Sequence, residues 1–232
     1  MTGVFEIADK FVGTVAKHNP LAATHMGITG SDHLMPDYSP DATHSFYRET
    51  ITALGQMEAV VPLNDRERMC KDTFIDASSV SVEQHESRDY LRDINVLFSP
   101  VQSVRSVFDL MPKDSLEAWE NIASRMEKVK DSLSTYQEAL DKGRAEGLVA
   151  SRRQVNGCAD QCEAWAGERD NPPFFDSMVD AFAACEMSDE LLGIRLEKAS
   201  KSASEAYAEF SNYLRDGYLL DATPVDGVGS ER

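Results

Sequence analysis

Apolar residues recur at intervals of three and four along most of the chain, and runs of alternating apolar and polar residues are nearly absent. The first spacing marks one face of an α-helix, whereas alternation marks a half-buried strand. The pattern therefore predicts an all-α fold. The first helix is expected to cover Val4 to Lys17 and to end before Asn19-Pro20. Its buried face is expected to carry Phe5, Ala8, Val12 and Val15.

Four start signals divide the middle of the chain into further helices. Two are serine-proline pairs, in which serine caps the helix and proline takes its first position, and two are capping boxes. The signals are Ser39-Pro40, Asn64 with Glu67, Ser99-Pro100, and Asp114 with Glu117. They predict helices over 40–60, 64–95, 100–108 and 114 to 143 or 147, with a loop rich in turn residues before them at 27–40. A break inside the helix over 64–95 is the alternative, because its apolar stripe is patchy at 76–89.

The sequence of the second half of the chain predicts three more helices. Ser151 is expected to cap a helix that ends before Asn171-Pro172-Pro173, and a shorter helix is expected over 174–185. Ser188 is expected to cap the last helix, which carries a seven-residue repeat with small residues in its middle. The repeat consists of Leu192, Leu196, Ala199, Ala203, Ala206, Phe210 and Tyr213. Alanine at these positions lets a partner helix approach closely.

Together these elements predict a multi-helix bundle of about seven or eight helices, with two long antiparallel-packing helices of roughly 30 residues each. Residues 1–220 are predicted to form one helical domain. Residues 221–232 show no apolar periodicity and are predicted to be a connecting tail without a docking partner. This tail is expected to lead to a C-terminal domain that is absent from the chain. An ordinary frayed terminus is the alternative.

The net charge of the chain makes some classes of binding partner unexpected. The chain has 40 acidic and 23 basic residues and a formal net charge of -17. It should repel phosphates and anionic headgroups, so neither nucleic acid nor a membrane is an expected partner. No apolar run reaches the roughly 20 residues that span a bilayer, and Glu6 and Asp9 stand where a signal peptide is basic. With only four cysteines, the chain is expected to be cytoplasmic.

No complete catalytic or metal-binding pattern is visible. The segment His85-Glu86-Ser87-Arg88-Asp89 comes nearest to His-Glu-x-x-His, in which one helix face brings two imidazoles to a metal. Because Asp89 replaces the second histidine, a solvated helix face is the favoured interpretation. Cys158 and Cys162 lie one helical turn apart without a second pair, which favours core packing over a soft-metal or redox site.

A second set of possible metal ligands lies in the first quarter of the chain. It consists of His18, His25, His33 and His44, with Asp32 and Asp37. Their spacings match no known ligand pattern, so satisfied or exposed histidines are favoured. Gly27-Ile28-Thr29-Gly30 lacks the lysine of a phosphate loop and is interpreted as a turn. We therefore assign no catalytic, cofactor-binding or metal-binding residue and no cofactor to this chain.

Short segments along the chain resemble, in their order, the bacterial DUF885 family. They are 19–24 with Gly27, the turn at 34–40, Arg125-Met126, the helix exit at 143–148, and 226–231. The resemblance implies a helical N-terminal region that forms one wall of a substrate channel. Facing it would be a C-terminal half with a zinc-peptidase-like His-Glu-x-x-His region. That motif matches no position here, so no site residue is carried over and zinc would belong to the absent half.

Two functions follow as leading hypotheses. In the first, the chain is the non-catalytic helical domain of a DUF885-type, zinc-dependent, peptidase-like hydrolase, and its partner is the missing C-terminal half. In the second, it is a free-standing acidic interaction module that presents the alanine seam of its last helix, or an acidic face, to another helical protein. An enzyme complete in this chain, built on an unrecognised carboxylate site, is the third possibility.

Overall fold

The computed structural model of the protein describes residues 3–168, 172–185, 187 and 189–226. Within them the chain forms ten α-helices. They are α1 Val4–His18, α2 Pro20–His25, α3 Pro40–Ala59, α4 Asp65–Glu86, α5 Pro100–Leu110, α6 Leu116–Met126, α7 Val129–Ala145, α8 Arg152–Ala166, α9 Asp176–Ala183 and α10 Glu190–Asn212. A 3-10 turn covers Asp89–Leu91, a π turn Tyr213–Gly217 and a second 3-10 turn Tyr218–Leu220. The described residues contain no strand, which confirms the all-α prediction.

The two long helices of about 30 residues are also present. The first is α6 followed by α7, which are joined through Glu127 and Lys128. The second is α10, which continues through the π turn and the 3-10 turn to Leu220.

The main hydrophobic core surrounds α10, which packs against α6, α7, α8 and α9. The predicted seam of this helix is its buried face, and Ala199, Ala203 and Ala206 are at most 4% exposed. The proposal that this seam is presented to another protein is therefore wrong. Helices of the same chain already cover it, because alanine lets them approach closely.

A smaller core lies between α1, α3 and α4, around Val4, Ile7 and Met57. The bounds predicted for α1 agree with the structure within one residue, but its buried face does not. Phe5 and Val12 are 39% and 42% exposed. The apolar residues of α1 spread over more than one face, and packing on α3 selects the face of Val4 and Ile7.

The predicted caps are present at the starts of α3, α4 and α5. The side chains of Ser39 and Asn64 accept hydrogen bonds from the backbones of Ala42 and Glu67, at 3.2 and 3.0 Å. Other expectations differ. Ser151 precedes α8 as predicted, but its side chain makes no cap bond. Ser115, and not Asp114, caps the sixth helix, and α4 ends at Glu86 instead of near residue 95.

The early end of α4 has a local cause. After its last residue Glu86, Arg88 adopts a left-handed backbone conformation with φ 60°, and the chain turns into the 3-10 segment. The last helix begins after Asp189, whose side chain accepts from the backbone of Leu192 at 2.9 Å. The predicted cap Ser188 lies outside the described residues.

The segment after residue 220 is docked where the sequence predicts a loose tail. Ala222 is 3% exposed, and Thr223 forms an isolated parallel bridge with Ser151. In this bridge the Thr223 N–H donates to the carbonyl of Ala150 at 3.1 Å, and the Arg152 N–H donates to the carbonyl of Thr223 at 2.9 Å. The tail therefore runs beside the start of α8 as far as its last described residue, Asp226.

No helix in the described part of the chain combines the length and the apolar character needed to cross a bilayer.

Candidate functional site

A cleft of about 700 Å³ opens between α3, α4, the segment 89–95 and the start of α8. Its walls carry aromatic rings, carboxylates, amides and hydroxyl groups. This volume is in the range of small-molecule sites in proteins. The cleft is therefore the candidate functional site of this chain.

An aromatic stack forms the wall between α3 and α4. The imidazole of His85 lies between Tyr47 and Tyr90, with ring centroids 4.1 and 5.0 Å apart and interplanar angles of 19° and 5°. The Tyr47 hydroxyl donates to Glu86 Oε1 at 2.9 Å, and this bond fixes the Tyr47 ring against α4. The left-handed turn at Arg88 brings Tyr90 back over the helix end, so the stack depends on the early end of α4.

His85 also lies against a second histidine. Its Nε2 is 3.4 Å from Nδ1 of His44 on α3, and its Nδ1 is buried without a hydrogen-bond partner. Desolvation by burial and repulsion from His44 lower the pKa of His85, although Glu86 acts in the opposite direction. The fold therefore favours the neutral imidazole. Glu86, Ser87, Arg88 and Asp89 are exposed, as a solvated helix face predicts, whereas His85 itself is half-buried between the two tyrosine rings.

Carboxylates form the floor of the cleft. Asp89 accepts two hydrogen bonds from Arg92, at 3.0 and 2.6 Å. Asp93 accepts from the amide of Asn95 at 3.0 Å, and its pKa is raised by desolvation and then by repulsion from Asp89. The core holds the backbone of the 89–95 segment in place, since the hydroxyl of the buried Tyr136 donates to the carbonyl of Asp93 at 2.5 Å.

The start of α8 forms a further wall of the cleft. Ser151 is its N-cap residue and is 4% exposed, but its hydroxyl makes no cap bond and has no hydrogen-bond partner. Gln154 Oε1 accepts from the backbone of Val96 at 3.0 Å, which ties this helix start to the 89–95 floor. Asp226 lies at the rim and pairs with Arg153 at 3.4 Å. A buried hydroxyl without a partner is costly.

Among the described residues, no group of three or more histidine, cysteine, aspartate or glutamate side chains is placed to hold a metal ion. The early histidines have separate partners. His18 lies 2.8 Å from Glu49, and His25 lies 2.7 Å from the carbonyl of Leu21. His33 is exposed, and only His44 reaches His85.

The two carboxylates of this set also form hydrogen bonds with residues close to them in sequence. Asp32 accepts from Thr24 at 2.8 Å, and Asp37 accepts from the backbone of Ser39 at 2.8 Å. Gly27 and Gly30 have φ of 72° and 98°, as the predicted turn requires. Asp32 and Asp37 therefore take part in the local hydrogen bonding of the loop before α3.

Cys158 and Cys162 are both fully buried, as core packing predicts. Cys158 donates to the carbonyl of Asn95 at 3.2 Å. Desolvation raises the pKa of Cys158 to about 11 and that of Cys162 well above its usual value. Both thiols therefore stay protonated and unreactive in the folded protein.

The fold and the cleft define a helical protein with a ligand-sized cavity and without a recognisable catalytic set in its described residues. The family model of DUF885, described as a bacterial protein of unknown function, matches residues 20–232. The chain belongs to this family.

One crystal structure, described as that of "the putative lipoprotein from Colwellia psychrerythraea", has a similar fold with a TM-score of 0.76 and 12% sequence identity. The match covers 99% of this chain and 44% of that chain, so this chain spans less than half of that protein's length. At this identity the likeness concerns the fold alone. No curated protein matches the chain.

Proposed function

We propose that this chain is the non-catalytic helical wall of a longer DUF885 protein with zinc-dependent, peptidase-like hydrolase activity, and that its cleft faces the substrate. The observation that carries the proposal is the length of the similar crystal structure, because the match covers 99% of this chain but only 44% of that chain. The cleft is the concave surface of this chain that a C-terminal half would enclose.

The chemistry of the cleft also supports this arrangement. Its lining holds carboxylates, amides and aromatic rings, and such a surface suits substrate enclosure.

The coding sequence that follows the Arg232 codon tests the proposal. The proposal expects the frame to continue for some hundreds of codons and to encode His-Glu-x-x-His. The full product should then contain one zinc ion per chain by elemental analysis and hydrolyse a mixed peptide library. Exchange of the first motif histidine for alanine should abolish both. A stop codon directly after Arg232, or a zinc-free full product, would contradict the proposal.

A free-standing acidic interaction module remains the second candidate, because one exposed apolar pair favours it. Leu97 and Phe98 are adjacent in sequence and are 69% and 86% exposed. A partner could cover this pair without using the alanine seam. Loss of a partner on Phe98→Ser, in a chain encoded with its own stop codon, would favour this candidate over the first.

The cytoplasmic location and the absence of nucleic-acid and membrane partners stay predictions. They rest on the net charge of -17 and on the sequence pattern. Since the similar crystal structure is described as a lipoprotein, cell fractionation of the full product is the experiment that decides the location.

A further inference from the structure

Two histidines from different helices face each other at the wall of the cleft. His44 lies near the start of α3 and His85 in the last turn of α4, 41 residues apart in sequence. The two helices run antiparallel, because at their other ends Lys71 of α4 donates to the carbonyl of Glu58 of α3 at 2.7 Å. No local pattern marks this pair, since only the packing of the two helices brings the rings together.

The separation of the two facing nitrogens suits a shared metal ion. Nδ1 of His44 and Nε2 of His85 lie 3.4 Å apart, and the planes of the two rings differ by 37°. This distance exceeds the roughly 2.7 to 3.2 Å of an ordinary hydrogen bond with an N–H donor. Two nitrogens bound at about 2.0 Å to one tetrahedral ion lie about 3.3 Å apart. Small rotations of the rings would therefore place both nitrogens on one ion.

The surroundings of His85 prepare its ring for an ion. Tyr47 and Tyr90 enclose the ring by stacking, so little side-chain freedom would be lost on binding. The carboxylate of Glu86 attracts a cation to the ring, whereas the ammonium group of Lys142 opposes it. The net charge of -17 on the whole chain adds to the attraction. Geometry and charge therefore both favour a divalent cation at this pair.

The type of ligand atom selects the class of ion. Imidazole nitrogens bind Zn²⁺, Cu²⁺ and Ni²⁺, whereas Mg²⁺ and Ca²⁺ prefer oxygen ligands. Within the described part of the chain, no third histidine, cysteine or carboxylate converges with the pair on one ion. Two positions of a tetrahedral ion would therefore be left to water. Because Nδ1 of His85 is buried without a hydrogen-bond partner that would orient the ring, we expect moderate affinity.

We propose that His44 and His85 form a two-histidine site for a late first-row divalent metal ion such as Zn²⁺, held by Nδ1 of His44 and Nε2 of His85. The bound ion links the start of α3 to the end of α4 and so fixes one wall of the cleft, which His85 lines. Its open positions accept water or a donor group of a ligand. The inference concerns this chain alone and does not rest on the proposed function, which assigns zinc to a C-terminal half.

Calorimetric titration of the metal-free chain with ZnCl₂ at pH 7.5 measures the binding. One Zn²⁺ per chain is expected, with a dissociation constant in the micromolar range, because two protein ligands bind more weakly than the four of a structural zinc site. MgCl₂ is the control and should not saturate the chain in this range, since both proposed ligands are nitrogens. Equal affinity for Mg²⁺ would indicate binding by carboxylates and would overturn the proposal.

Two ligand variants and one control locate the ion. His44→Gln, at an exposed position, and His85→Phe, which keeps a flat ring in the stack, should each weaken Zn²⁺ binding by about tenfold or more. His33→Gln removes an exposed histidine outside the pair and should leave the affinity unchanged. Circular dichroism of the metal-free variants checks that each is folded. An unchanged Zn²⁺ affinity in folded His44→Gln would mean an adventitious ion only, and the proposal would fall.

NMR spectra of the imidazole rings identify the ligand residues directly. Zn²⁺ should shift the ring signals of His44 and His85 and leave those of His18, His25 and His33 in place, because these three lie apart from the pair. Shifts confined to other histidines would overturn the proposal. The zinc content of the full product, measured after gel filtration into metal-free buffer, reports only tightly bound ions. Failure of the proposed function there would leave the outcome for this pair in force.

Discussion

The Arg125 guanidinium donates two hydrogen bonds to the Thr24 hydroxyl, from Nη1 and Nη2 at 3.1 Å each. Further bonds reach the carbonyls of Leu34 and Ser31, at 3.0 and 3.1 Å. Arg125 is 0% exposed, and desolvation lowers its pKa to about 10. One buried side chain of α6 therefore holds the segment between α2 and α3, whose backbone lacks helical hydrogen bonds of its own.

Replacement of Arg125 should destabilise the protein strongly. Arg125→Met removes the guanidinium that bonds to the Leu34 carbonyl and to the Thr24 hydroxyl and leaves the Ser31 carbonyl with the Leu34 N–H alone, and we expect a loss of about 3 kcal/mol in the free energy of unfolding. Arg125→Lys keeps the charge but not the planar fork, so an intermediate loss is expected. Urea denaturation followed by circular dichroism measures both.

The matched control for Arg125 is Arg48→Met, at an exposed position on α3. It should change the free energy of unfolding by less than about 0.5 kcal/mol. If Arg125→Met proves as mild as this control, the guanidinium does not hold the segment.

Gly143 should not tolerate a side chain. A Cβ at this position of α7 would lie 2.1 Å from the carbonyl oxygen of Leu91 and 2.9 Å from that of Leu148. Both are backbone atoms, so Gly143→Ala has to displace the 3-10 turn that leads into the cleft floor. We expect a loss of about 2 kcal/mol, measured as above, and altered amide shifts at 89–95.

Gly55 provides the opposite case in the same molecule. It lies inside α3, and a Cβ there meets no atom within 4 Å. Gly55→Ala should therefore stabilise the protein by about 0.5 to 1 kcal/mol through its higher helix propensity. Equal effects of the two glycine substitutions would contradict the close approach of α7 to Leu91.

Stability should fall as His85 becomes protonated. The fold lowers the pKa of this imidazole, so below the ordinary value of 6.5 the unfolded chain binds more protons than the folded one. The contribution of neutral His85 is full above pH 6.5 and is lost as the pH falls toward the lowered value. The groups around the ring are His44, Glu86 and Lys142, of which Glu86 alone opposes the shift.

Melting temperatures between pH 7.5 and pH 5.5 test this dependence. His85→Phe keeps a flat ring between Tyr47 and Tyr90 and should show a flatter pH profile than the wild type. His33→Gln, at an exposed histidine, should retain the wild-type profile. A wild-type slope in His85→Phe would show that another group is responsible.

Local sequence signals predict most of the helices. Ser39, Asn64 and the heptad of α10 work because capping and helical spacing depend on neighbours a few residues away. The buried face of α1 fails as a prediction, because its apolar residues fit more than one face and only packing on α3 decides between them. The end of α4 fails for a similar reason, since the left-handed turn at Arg88 carries no glycine to mark it.

The cleft could not be predicted from local patterns. Tyr47, His85 and Ser151 lie on three different helices or helix starts, and only the tertiary fold brings them to one cavity. The polar segment from Asp89 to Asn95, with Tyr90 inside it, was the one available signal. The predicted helix over 64–95 includes this segment, whereas α4 ends at Glu86.

The central claim is that the cleft is the face covered by the rest of a longer DUF885 protein. Hydrogen-deuterium exchange with mass spectrometry, on this chain and on the full product, tests it most directly. The account predicts slower exchange in the full product at 43–50, 81–95 and 150–154, with no change in the buried middle of α10. Equal exchange at the cleft segments in the two proteins would contradict it.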